Sequence, residues 1–181
     1  EVQIGFTQID RIADSIVFTD YDFQVDDTKY FYPASTVKFP AAVAALEKLN
    51  EIDNLTRKTA FYIAGDTVKT TFENTIKEIF SVSDNAANNR LVEFLGQDEL
   101  NWRIQNRGVR PFRVSHRLST QNADDITTKP LVIYLNDSTT SISEPIVNKE
   151  IEILEINDTK KGKGYYVQDS LHQRPFDFAL K

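Results

Sequence analysis

The stretch Tyr30-Phe31-Tyr32-Pro33-Ala34-Ser35-Thr36-Val37-Lys38-Phe39-Pro40, running into Ala41-Ala42-Val43-Ala44-Ala45-Leu46, is the one around which the chain is organised. Pro33 disfavours the α conformation at Tyr32, so a helix is expected to begin after it. Ser35 then falls at or near the helix N-terminus. Lys38 follows one turn later on the same face. A hydroxyl and an amine stacked in this way can act as a nucleophile and its base. The helix N-terminus adds partial positive charge and free backbone N–H groups beside the hydroxyl. The following residues are almost all apolar, so the helix, expected to reach about Asn50, should be largely buried. Burial lowers the pKa of a lysine, which is what a neutral amine base requires. Pro40 costs little near the first turn and would kink the helix further in. The motif alone is weak evidence: a chain of this length holds about one chance Ser-x-x-Lys, and a serine at a helix start is most often a plain N-cap.

A second motif, Ser83-Asp84-Asn85, changes the weighing. A chance match to this tripeptide is expected in only about a few per cent of such chains. It interrupts two amphipathic patterns. Thr71 to Ser81 places Phe72, Ile76, Ile79 and Phe80 on one face, and the next helix places Ala87, Leu91, Phe94 and Leu95 together and stops at Gly96. The chain from Ser35 to Ser83 is long enough for a helical hairpin to bring this loop back over Ser35. Ser83 and Asn85 would then face the Ser35/Lys38 pair. The set suits acyl transfer: Ser35 attacks a carbonyl, Lys38 takes its proton, Ser83 relays a proton to the leaving nitrogen, and Asn85 binds a substrate amide. Asp84 is expected to hold the loop through backbone hydrogen bonds.

Around these motifs the chain alternates strands and helices. Val2 to Ile9 and Ser15 to Val25 read as two strands, with Asp10 to Asp14 as their turn. Asp26-Asp27-Thr28-Lys29 is a polar loop. Ala60 to Ala64 is an apolar knot before a Gly65-Asp66-Thr67 turn. Asp98 should cap a helix over Glu99–Arg107, stopped by Gly108. Asp124-Asp125-Ile126-Thr127 could cap a helix or a strand through Leu131–Leu135. Lys149 to Ile156 alternates, residues 157–164 form a turn, and Tyr165-Tyr166-Val167 returns as a hairpin.

Length and composition narrow the function. The 181 residues carry a net charge of −6, which argues against a nucleic-acid groove. No apolar run approaches a membrane span, and no signal peptide is visible. The absence of cysteine excludes disulfides and thiol catalysis. His116 and His172 lack metal-ligand spacing, so neither a metal nor a cofactor is expected.

Ser35-Thr36-Val37-Lys38 and Ser83-Asp84-Asn85, in this order, resemble the first two motifs of the penicillin-recognising serine hydrolases, the class A β-lactamases and the D,D-peptidases. The wider resemblance is to the class A type and covers roughly residues 1–135. It implies an α+β fold of the β-lactamase/transpeptidase type, a helical lobe packed on an antiparallel sheet. The expected organisation is one domain over 1–181: sheet strands in 1–30, a helical lobe in 31–135, and an insertion or hairpin and tail in 136–181. By the resemblance Ser35 is the acylated nucleophile, Lys38 its base, Ser83 the proton shuttle and Asn85 a ligand of the substrate amide. The Ser35 backbone N–H would supply half of an oxyanion hole. The implied setting is bacterial and extracytoplasmic, in the periplasm or cell envelope, with a small-molecule or cell-wall peptide as substrate.

Three departures qualify this. No Lys-Thr-Gly or Lys-Ser-Gly triad occurs, and Lys161-Gly162-Lys163-Gly164 reads as a hairpin tip, so the chain is expected to be a fragment with an incomplete sheet. An exposed sheet edge could then pair with a second copy. The family's deacylating glutamate has no clear counterpart: Ser119 stands about where it belongs, and Glu144 lies far downstream. Residues 136–175 look like an insertion. These departures keep two alternatives open beside a β-lactamase-like hydrolase: a D,D-peptidase or esterase, and a catalytically silent module that binds cell-wall peptide.

Overall fold

The computed structural model describes residues 2–26, 33–110, 112–149, 164–167 and 170–173. The chain forms two compact units, Glu1–Tyr32 with Leu154–Leu180, and Pro33–Ile153 with Lys181.

In the first unit, β1 (Ile4–Ile12) and β2 (Ser15–Phe23) pair antiparallel from Ile4↔Phe23 to Ile12↔Ser15. The turn is therefore Ala13-Asp14 and not the five residues 10–14. Ala13 takes a positive φ of 52°, as the tight turns that match strand twist require. Both faces are apolar and exposed: Ile4, Phe6, Tyr21 and Phe23 on one, Ile9, Ile16 and Phe18 on the other. The strands β7 (Gly164–Val167) and β8 (Ser170–Gln173) form another antiparallel hairpin. Tyr165–Val167 is thus a strand, as its sequence suggests, and it pairs forward with a segment whose pattern gave no signal. The expected strand over 150–156, the Lys161–Lys163 part of the hairpin tip and most of the Asp26–Lys29 loop lie outside the described residues.

The second unit is built from four helices and a sheet. Ala34–Val37 forms a single 3₁₀ turn, and α1 runs from Lys38 to Glu51. Pro40 has no N–H to offer the Thr36 carbonyl, so the α ladder starts after that turn, and Pro40 sits harmlessly in the first turn of α1. The helix α1 buries one face, through Lys38, Ala41, Ala42, Ala44, Ala45 and Leu49, while Phe39, Asn50 and Glu51 are exposed, so it is less deeply buried than its apolar run suggests. After β3 (Ala60–Ile63) and β4 (Thr70–Thr71) come α2 (Phe72–Val82), α3 (Asn85–Leu95) and α4 (Gln97–Asn106). The strands β5 (Leu131–Tyr134) and β6 (Thr140–Ile142) complete an antiparallel sheet of order β4-β3-β5-β6. The segment after Asp124 therefore leads into a strand, and the region that reads as an insertion begins with β6.

One face of the sheet, Phe61, Ile63, Leu131 and Ile133, packs into a core shared with the helices. Phe61 stacks on Phe72 at 4.4 Å between ring centroids, and Phe72 meets Phe94 at 4.7 Å. This is the α+β arrangement of helices on an antiparallel sheet that the resemblance implies. Two local expectations change. Phe80 does not join the core: it is exposed and meets Phe39 edge-on at 6.2 Å, because the buried face of α2 runs through Phe72, Thr75 and Ile79. Asp98 does not cap α4. Gly96 holds that position, and Asp98 lies in the first turn, where its backbone N–H donates to Asn148 and its carboxylate accepts from the Lys149 N–H. At the other end Arg103 bridges α4 to α1 through Glu51, with Glu99 on its second side.

Candidate active site

Ser35 lies in the 3₁₀ turn, exposed, and Lys38 opens α1 with only 2 % of its surface accessible. The lysine is buried because its side chain runs under the junction of α2 and α3. Its Nζ lies 3.3 Å from Ser35 Oγ and 3.0 Å from Ser83 Oγ, and it donates to the Ser83 carbonyl oxygen at 2.5 Å. Ser83 can offer both groups because it caps α2 in a left-handed conformation, φ 54° and ψ 43°. That turns its carbonyl and hydroxyl toward Lys38 while the side chain stays exposed.

Burial drives the Lys38 pKa below the ordinary lysine value, and the nearby Asp84 carboxylate partly offsets that. In the neutral amine, two hydrogens can serve Ser83 while the lone pair accepts from the Ser35 hydroxyl. Asp84 also holds the loop as expected, its Oδ1 capping α3 by accepting from Ala87 N–H at 2.6 Å. Asn85 is the first residue of α3 and not part of the loop. Its Nδ2 donates to Ser119 Oγ at 2.9 Å. The structure thus brings Ser35, Lys38 and Ser83 into contact, and joins Asn85 to Ser119 two residues beyond Ser83. Glu144 is exposed, on the strand-free segment after β6. Among the described residues no group of His, Asp or Glu is arranged to hold a metal ion.

Two rows of polar side chains, of which only Asn85 was read from the sequence as a site element, hold the segment that ends at Ser119. On α3, Glu93, Asn89 and Asn85 hold Arg117, Leu118 and Ser119 in turn. Asn89 grips Leu118 twice, accepting from its N–H and donating to its carbonyl. On α4, Gln97, Asn101 and Gln105 hold Ser115, Val114 and Phe112. Each row steps by four residues along one helix face. That spacing, set in helices whose other buried positions are mostly apolar, was the available signal. The Glu93–Arg117 pair is buried and bidentate. Its guanidinium also donates to the carbonyls of Asn122, Asp125 and Thr127. Ser119 itself takes a φ of 50°, which a residue other than glycine rarely adopts.

No curated protein and no solved structure gives a significant match to the chain. A model of the family described as the Beta-lactamase enzyme family matches residues 15–144, well over half of the 181 residues and the whole span from β2 through the two motifs to the end of the sheet. With helices on an antiparallel sheet and this match, the chain belongs to the β-lactamase enzyme family.

Proposed function

We propose that the protein is a serine hydrolase that forms an acyl-enzyme on Ser35 with an amide or β-lactam carbonyl. Family membership supports a hydrolase of the serine type in general. The observation that carries the finer reading is the Lys38 amine, buried between two exposed hydroxyls with its pKa lowered. An amine held neutral can take the Ser35 proton as Oγ bonds to the carbonyl carbon. Ser83 then gives its hydroxyl proton to the leaving nitrogen as the C–N bond breaks, and recovers one from the Lys38 ammonium. Water attack on the ester releases the acid and restores Ser35. In this reading Asn85, two residues beyond Ser83, binds the substrate amide.

The substrate proposed is a small molecule or a cell-wall peptide. The family is generally extracytoplasmic, and among the described residues no helix is long and apolar enough to cross a membrane. We place the protein in the cell envelope on that basis. The deciding experiment is intact-mass spectrometry before and after exposure to an acylating penicillin, with Ser35→Ala alongside. A stable adduct on the parent and none on the variant supports the reading. An adduct that persists on Ser35→Ala removes Ser35 as nucleophile, and no adduct on the parent favours a module that binds peptide without turning it over.

A further inference from the structure

We infer that the protein associates with a second copy of itself through β6, which pairs antiparallel with β6 of the partner subunit about a two-fold axis at Ser141. The sequence raises a sheet edge as a surface for a second copy, and the structure assigns the edge. Among the described residues β6 has β5 on one side and no strand on the other. At the opposite end of the sheet β4 has only two residues and runs straight into α2. The strands β1 and β2 belong to the other unit, much of which lies outside the described residues. The inference does not depend on the reading of Ser35.

Hydrogen bonds fix which backbone groups of β6 face outward. Ser143 N–H donates to Leu131 O, and Leu135 N–H donates to Thr139 O, each at 2.9 Å. Bonded and non-bonded residues alternate along an antiparallel pair. Thr139, Ser141 and Ser143 therefore face β5, and Thr140 and Ile142 turn their N–H and C=O groups away from it. About an axis at Ser141, Thr140 meets the partner's Ile142 and Ile142 meets the partner's Thr140. Each meeting exchanges two N–H···O=C bonds, and the same edge serves both copies. The side chains fit this register. On the outer face of the sheet Tyr62, Val132 and Ile142 lie in one row across β3, β5 and β6. Pairing continues the row through the partner's Thr140 to the partner's Tyr134, and it covers Ile142, which is 66 % exposed. Edges that avoid pairing commonly carry a charge. Thr140, Ser141 and Ile142 carry none, and the nearest charges, Asp137 and Glu144, lie outside the strand. With three residues in the strand, the association is weak and depends on concentration.

The test is sedimentation equilibrium of the full chain at about 10–500 μM, a range suited to a weak interface. The weight-average mass is expected to rise from 20.7 kDa toward twice that value. Ile142→Pro removes an outward N–H and no bond to β5, and it is expected to hold the mass at that of one chain throughout. Thr140→Lys places a lysine on the edge and is expected to do the same without a proline in the strand. The chain has no cysteine, so one introduced thiol reads the register. Residues facing each other at the axis bring their Cα atoms to about 4.5 Å, within reach of a disulfide. Under mild oxidation Ser141→Cys is expected to cross-link at least about tenfold faster than Ser138→Cys, whose two copies lie about 20 Å apart in this register. A parent that keeps the mass of one chain at every concentration overturns the inference. Association that survives both Ile142→Pro and Thr140→Lys also overturns it, since the interface then lies elsewhere. Equal cross-linking of the two cysteine variants overturns it as well.

Discussion

Glu93→Gln tests the buried end of the row that carries Ser119. The substitution keeps the shape of the side chain and removes its charge. Arg117 is then left with 1 % of its surface accessible and no counter-ion. All five of its N–H groups are committed: Nε and one Nη2 hydrogen to Glu93, the other Nη2 hydrogen to Thr127 O, and Nη1 to Asn122 O and Asp125 O. Glu93 Oε2 also accepts from Lys129 N–H at 2.7 Å. Removing one partner of such a pair costs about 3–5 kcal/mol. In a chain of this size each kcal/mol moves the Tm by about 2–4 °C, so a fall of about 6–20 °C is expected by circular dichroism. Replacing both partners by apolar residues often restores stability. Here Glu93→Leu with Arg117→Met would strand three carbonyls and the Lys129 N–H, each worth about 1 kcal/mol or more, so the double variant should remain well below the parent. A Glu93→Gln fall under about 2 °C, or a double variant as stable as the parent, would refute the assignment of this pair as the pin of the loop.

Acylation by a penicillin should rise as pH passes upward through the lowered pKa of Lys38, because the neutral amine is the base. Asp84→Asn, which removes the carboxylate that raises that pKa and still caps α3, should move the limb to lower pH; a limb that stays put in the pH–rate profile counts against Lys38. The same depressed pKa means that the unfolded chain binds the extra proton between that value and 10.5, so stability measured by urea titration should increase with pH across this window. Gly96→Ala places a Cβ 2.9 Å from Asn148 Oδ1 and 3.0 Å from Ile146 Cγ2 at a φ of 75°. It should cost about 2 kcal/mol or more in urea unfolding, and a loss under about 0.5 kcal/mol would show that the junction of α3 and α4 adapts.

Much of the second unit was legible because it follows the two simple periods. The apolar spacing of α2 and α3, the stop at Gly96 and the buried start of α1 all come from helical repeat, and Ser35, Lys38 and Ser83 meet because the two motifs sit at helix ends. Phe80 was misread because two neighbouring positions, Ile79 and Phe80, fit the same stripe, and only packing decides which one turns inward. Asp98 was misread because an acidic residue suits both a cap and a first turn. The loop over residues 112–119 was opaque for a different reason. Its shape is not encoded in its own sequence but in Asn85, Asn89, Glu93, Gln97, Asn101 and Gln105 on two other elements.

That division of labour has a consequence for how the loop breathes. Its amides at Val114 and Leu118 are bonded to side chains of α4 and α3 and not to a neighbouring strand. To exchange with solvent deuterium they must wait for those asparagines to let go, and the asparagines are anchored in helices that face the core. A segment with neither helix nor strand should therefore exchange at the slow rate of the helical layer beneath it.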